Sequence, residues 1–352
     1  MKYLRMSVII QAPLKGAEIQ FFEDALSHKT VYMNGAHPLT LKHGIVVPMD
    51  IVPDGNRIWT TSFIDPTALI NGKIMLDGDF IYIAPFVELD SLFGGIRIGE
   101  GTNIQDGASL KGPAEIGCSV SIAHKASISN SSIGNFCFIG FGAEIKNSRI
   151  GAGAFISHGA KIESMNVQEG GYVPPGGSRC EGEISEALKD FKEEVLHVNS
   201  ELVIGYIDLL YAFGERALLQ IAPSPKTSWA KTYQFPEADS VRTLGPCRII
   251  GGIFFAGEGE VGERTSIRGD EGYPIRFGKG VRIGQRSVFH SLKGAGIEVG
   301  KNASIGNDTV IHGPAKIGNN ALVGNRCIIL KSTIAEGEVV PDGSVIIERH
   351  EK

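Results

Sequence analysis

Cysteine is scarce in this chain of 352 residues: five are present, at Cys118, Cys137, Cys180, Cys247 and Cys327. They are odd in number, scattered, and include no Cys-x-x-Cys pair. That distribution supports neither a disulfide framework nor a thiolate zinc cage, and it fits a reducing compartment. Long apolar runs are missing too. The run at residues 6–10, behind Lys2 and Arg5, is too short for the hydrophobic region of a signal peptide. No segment reaches the roughly 20 apolar residues of a spanning helix, so the expectation is a cytoplasmic protein. Positive charge is not in excess, with 34 Lys and Arg against 39 Asp and Glu and a net charge of −5. Nucleic acid and anionic membrane surfaces, which attract concentrated positive charge, are thereby excluded as the main partner.

Charged residues at 21% and hydrophobic ones at 42% exclude a disordered chain. Proline is ordinary at 16 residues, so the 46 glycines mark neither collagen nor a low-complexity linker. Glycine in such excess, with frequent Ile and Val, points to many tight turns between short strands.

The spacing of the aliphatic residues decides the fold. Ile98, Ile104, Leu110, Ile116, Ile122 and Ile128 fall six apart. The phase slips by one to Ile133, Ile139 and Ile145, then again to Ile150, Ile156, Ile162 and Val167. Ile116, Ile133, Ile150 and Val167 are therefore 17 apart, which is three sides of six, six and five. A helix needs apolar residues at three and four, and a half-buried strand needs them at two. A period of six, three times per turn, fits a triangular parallel β-helix with aliphatic residues inward. The pattern returns at Ile249, Phe255, Val261 and Ile267, at Phe277, Ile283 and Phe289, and after an insertion at residues 293–296 runs from Val299 through Ile305, Ile311, Ile317, Val323 and Ile329 to Ile334.

Between the two repeats, Leu188, Phe191, Val195, Val198 and Leu202 recur at three and four, the mark of an amphipathic helix with Ser185 as its N-cap. Pro223, Pro225 and Pro236 make the next stretch read as a linker. The expected fold class is all-β: two left-handed parallel β-helices with an intervening long α-helix. The expected domains are an N-terminal extension at 1–60, a first β-helix at 61–180, the helix at 181–222, a linker at 223–245 and a second β-helix at 246–352.

The motifs FIDPTAL, IRIGEGTNIQDG, SIAHKASIS, FIGFGAEIKNSRIG and YVPPG in the first copy, HVNSELVIGY in the helix, and IRGDEGYPIRFG, SVFHSL and VIHGPAKIG in the second resemble the γ-class carbonic anhydrases. The resemblance covers roughly residues 60–210 and 245–345. It implies trimeric assembly of β-helices, with a metal at each interface held by two His of one subunit and one of its neighbour. Arg-x-Asp and Gln-Asp motifs orient that site.

This chain departs from the pattern in both copies. The ligand positions are Lys111, His124 and Ser129 in copy one, and His290, Asn307 and His312 in copy two. Gln105 and Asp106 keep the Gln-Asp pair in copy one, where copy two has Gly284 and Gln285. Arg268 and Asp270 keep the Arg-x-Asp pair in copy two, where copy one has Leu89 and Ser91. The losses are complementary. Random decay of six ligand positions to three would seldom leave one whole set divided along the family's own subunit boundary. The resemblance thus implies the metal ligands His124, His290 and His312, with Glu271 as proton shuttle and Asn199 near the metal. A complete site would need the His124 face of copy one against the paired-His face of copy two. Because a ring of three cannot alternate two copies, a third β-helix from another copy or another protein is expected.

The paired ligands can be checked without the family. His290 follows Phe289, and His312 follows Ile311 one coil later. Coils stack about 4.8 Å apart, so two outward imidazoles there can share one metal at about 2.0–2.1 Å from each nitrogen. Three imidazoles suit zinc, and also ferrous iron or cobalt. Each residue has a plainer reading: Arg268 with Asp270 as a solvated turn pair, Gln105 and Asp106 as corner residues, Glu271 as an exposed carboxylate. His158, two coils from His124, reads as surface. The expected function is reversible hydration of CO2 to bicarbonate. The alternatives are a non-catalytic assembly subunit of the same fold and a hexapeptide-repeat acyltransferase using one His as general base.

Overall fold

The computed structural model describes residues 7–12, 18–21 and 62–350. It consists mainly of parallel strands of two to nine residues in stacked sheets, with one long helix, α1 (Glu186–Phe213). The architecture is two left-handed parallel β-helices. The chain divides into two compact units, Met1–Val203 and Ile204–Lys352, with the division inside α1. No helix among the described residues is long and apolar enough to cross a membrane.

In the first unit the sixfold spacing becomes three inward columns. Ile104, Ile122, Ile139, Ile156 and Val173 pair in register on one side. Leu89, Leu110, Ile128, Ile145 and Ile162 do so on the second, and Ile98, Ile116, Ile133, Ile150 and Val167 on the third. All are buried. The glycine after the third column keeps the coils close: a Cβ on Gly134 or Gly151 would lie 2.6 or 2.5 Å from the backbone of the next coil. Of the N-terminal extension, strands Ser7–Ala12 and Glu18–Phe21 pair antiparallel, and the first also pairs antiparallel with Leu69–Asp77. The rest of that segment lies outside the described residues.

The second unit repeats the arrangement. Its columns are Ile249, Ile267, Phe289, Ile311 and Ile329, Val261, Ile283, Ile305, Val323 and Val340, and Phe255, Phe277, Val299, Ile317 and Ile334. The stretch 223–245, expected as a linker, is partly built into this unit. Val241–Thr243 pairs with Gly259–Val261, while Ser224, Ala230 and Ala238 are buried. The preceding strand, Ile221–Ala222, pairs with Arg248–Gly251. Arg248 is wholly buried and donates to the carbonyls of Ala217 and Leu219, where the helical segment ends.

Helix α1 begins where expected, with the Ser185 carbonyl accepting from the N–H groups of Leu188 and Lys189. In the first unit Phe191 meets Phe138 and Phe155, with ring centroids 5.3 and 6.2 Å away. Beside it the buried Lys192 donates to the carbonyls of Phe136 and Gly153 at 2.9 and 2.7 Å. In the second unit Gly205 lets another segment come close: a Cβ there would stand 2.4 Å from the Lys226 carbonyl.

Candidate metal centre

The first unit carries one of the three expected ligands, His124. His124 follows the inward residues of strand Ser121–Ile122 and is 1% exposed. Its Nδ1 lies 3.1 Å from Asp106 Oδ2, and both side chains are buried. Next to Asp106, Gln105 donates through Nε2 to Asn199 Oδ1 at 2.6 Å and to Asn103 Oδ1 at 3.1 Å. Asn199 is anchored in α1 by its own donation to the Val195 carbonyl. Gln105 and Asp106 therefore do more than occupy a corner. They tie the helix to the coil that presents His124. Asn103 was not a sequence candidate; its Oδ1 also accepts from Ser121, while its buried Nδ2 finds no acceptor among the described residues. A buried amide donor of this kind is costly unless something takes its proton.

His158 corrects the surface reading. It is buried, its Nδ1 accepts from the Phe141 N–H at 3.1 Å, and its ring stacks on Phe141 at 4.6 Å. Phe141 stacks in turn on His124 at 5.4 Å. The three rings sit on successive coils at 17-residue spacing, so the phase that separates His158 from His124 also supplies the wall that covers both.

The second unit carries the other two expected ligands, His290 and His312. Strands Val288–His290 and Val310–His312 pair in parallel with His290 opposite His312. Their ring centroids are 5.1 Å apart with planes at 82°, and both residues are buried. The equivalent register in the first unit pairs Lys111 with Ser129, an ammonium and a hydroxyl in place of two imidazoles. Asn307, the third family position of the second copy, is exposed. It is committed to a turn ladder: its Oδ1 accepts from the Gln285 N–H, and its own N–H donates to Asn325 Oδ1.

Behind His290 lies a buried polar cluster. Arg268 Nη1 donates to Asp270 Oδ2 at 2.6 Å, with both side chains wholly buried. Asp270 Oδ1 faces His290 Nε2 at 3.0 Å. Burial alone raises an aspartate pKa, yet the Arg268 charge, His290 and the Tyr206 hydroxyl outweigh it and hold Asp270 well below the usual carboxylate range. A solvated turn pair would show none of this.

Glu271 is buried as well, against the plainer reading of it as an exposed carboxylate. Its Oε1 is 3.4 Å from His290 Nε2, and its Oε2 accepts from the Lys293 N–H at 2.6 Å. Burial pushes its carboxyl above the ordinary glutamate value, with His290 opposing. The segment after α1 covers this loop, with Trp229 donating to the Glu271 carbonyl and Gln234 to that of Gly272.

No protein-family model and no curated protein matches the chain by sequence. Solved structures do match. A hexapeptide transferase family protein from Anaplasma phagocytophilum is 23% identical, with a TM-score of 0.31 over 41% of this chain and 92% of that one. A putative acetyltransferase from Bacillus cereus is 17% identical, with a TM-score of 0.28 over 42% and 90%. The Arabidopsis UDP-N-acetylglucosamine acyltransferase is 14% identical, with a TM-score of 0.26 over 79% and 71%. At these identities and TM-scores the likeness does not extend to activity.

Proposed function

We propose that the chain is a metal-dependent hydratase that interconverts CO2 and bicarbonate, as its motifs' resemblance to the γ-class carbonic anhydrases implies. The observation that carries this reading is the register pair His290 and His312, two buried imidazoles on adjacent coils, one of them backed by a carboxylate. That donor chemistry fits a divalent metal, because an imidazole whose other ring nitrogen is held by a carboxylate is the usual form of a histidine ligand. The ligand set we propose is His290 and His312 with His124, and zinc is the ion of choice, with ferrous iron or cobalt accommodated by the same donors.

When bound, such an ion would supply acidification of a water molecule for attack on CO2 at neutral pH. The remaining roles belong to the chain. Asp270, clamped by Arg268, fixes the ring of His290. Asp106 does the same for His124, while Gln105 and Asn199 hold that face to the helix. Glu271, whose Oε1 lies beside His290 and whose pKa burial raises, would serve as the proton shuttle that the resemblance implies.

A second reading has one observation in its favour: the similar solved structures are named as transferases and acyltransferases. In that case one histidine acts as a general base on a hydroxyl or amine, and no metal is needed. Metal analysis of protein purified anaerobically, paired with stopped-flow CO2 hydration, separates the two. About one ion per chain with hydration activity supports the hydratase. Metal-free protein that transfers an acyl group from a thioester supports the second reading, and metal-free protein with neither activity supports an assembly subunit.

A further inference from the structure

Tyr206 reaches the buried cluster of the second unit from α1. It lies on α1 in the apolar phase of Leu202 and Leu209, and it is 2% exposed. A tyrosine hydroxyl taken out of water has to spend its proton on an acceptor. Here the acceptor is Asp270 Oδ2, at 2.5 Å. The same oxygen accepts from Arg268 Nη1 at 2.6 Å. Two donors on one oxygen from different elements, the helix and strand Ser266–Gly269, oppose rotation of the carboxylate about its Cβ–Cγ bond. Its second oxygen, Oδ1, is thereby aimed at His290 Nε2, 3.0 Å away.

We propose that Tyr206 is a positioning residue for the metal site, acting through Asp270 on the tautomer of His290; this rests on the metal-dependent reading above. A carboxylate paired with arginine can only accept, so the ring of His290 keeps its proton on Nε2 and its lone pair on Nδ1. A pivoting carboxylate would let the ring turn and the proton move to Nδ1, the wrong form for a ligand held in this orientation. The partner that holds a ligating imidazole typically sets metal affinity by about 10–100-fold, so the residue that holds that partner should act at the lower end of this range.

The test compares the full-length protein with its Tyr206→Phe variant, which removes only the hydroxyl. Nitrogen-15 imidazole spectra of the metal-free proteins read the tautomer, competitive titration with zinc reads the affinity, and thermal melts report folding. The expected result is a single Nε2-protonated His290 in the wild type, a mixture in the variant, and about tenfold weaker zinc binding. A residue that merely fills space would change the melt and leave the tautomer alone. Unchanged tautomer and affinity in a folded variant overturn the proposal and leave the hydratase reading standing. A wild type that binds no zinc overturns both. Should the variant not fold, the wild-type spectrum decides: a His290 ring that interconverts between tautomers in the native protein overturns the proposal, and a fixed one supports it.

Discussion

Replacing Arg268 with methionine should be far more damaging than the loss of an ordinary ion pair. Both Arg268 and Asp270 side chains are 0% exposed, and their contact is 2.6 Å long. Breaking a buried pair from one side leaves an uncompensated charge and costs about 3–5 kcal/mol, against about 0–1 kcal/mol for an exposed pair. At about 2–4 °C per kcal/mol for units of this size, the second unit should melt roughly 6–20 °C lower, measured by calorimetry. The loss should also depend on pH. In the wild type, Asp270 is held below its unfolded value of about 3.9, so its contribution is complete above that pH and disappears as pH falls through the folded value. Without Arg268, the largest influence opposing burial is gone and the carboxyl rises from that low value. The deficit of the variant should therefore narrow as pH falls from 7 towards 3. Adding Asp270→Leu should return much of the stability, because an apolar pair replaces a lone charge. A deficit below about 1 kcal/mol, or one that widens in acid, would refute the argument.

Glu271→Gln should remove a penalty that grows with pH. The folded pKa of Glu271 is raised, so the wild type loses stability as pH rises through that value, and the variant should not; melts at pH 4.5 and 8 measure the difference, while CO2 hydration should fall. Lys192→Met leaves the carbonyls of Phe136 and Gly153 without their buried donor and should destabilise the first unit by about 1.5–3 kcal/mol in chemical denaturation. Ile128→Ala, in the middle of an inward column, should cost about 2–5 kcal/mol by the same assay.

The repeat is legible in the sequence because coil geometry leaves it no freedom: Ile116, Ile133, Ile150 and Val167 must recur wherever the third side faces inward. The paired histidines are legible for the same reason, since each directly follows a column residue, Phe289 or Ile311, and the register carries both to one face. Residues 223–245 escape such reading because the strand there, like the one just before it, is only two or three residues long and shows no period. Glu271 looks exposed in sequence and is buried because Trp229 and Gln234, some forty residues earlier, cover its loop. His158 looks like a surface residue until Phe141 is seen stacked between it and His124. Tyr206 stands 64 residues from Asp270, a partnership that no local pattern announces.

In the function proposed above, His290 and His312 hold a metal on which CO2 hydration depends. Zinc, iron and cobalt content of anaerobically purified wild type, His290→Ala, His312→Ala and His158→Ala, with CO2 hydration measured on the same samples, tests it most directly. The wild type and His158→Ala should each carry about one ion per chain and hydrate CO2. In the other two variants both should be lost together, because removing an imidazole leaves too few ligands for tight binding. A wild type without metal, or His290→Ala and His312→Ala proteins that keep it, would contradict the account.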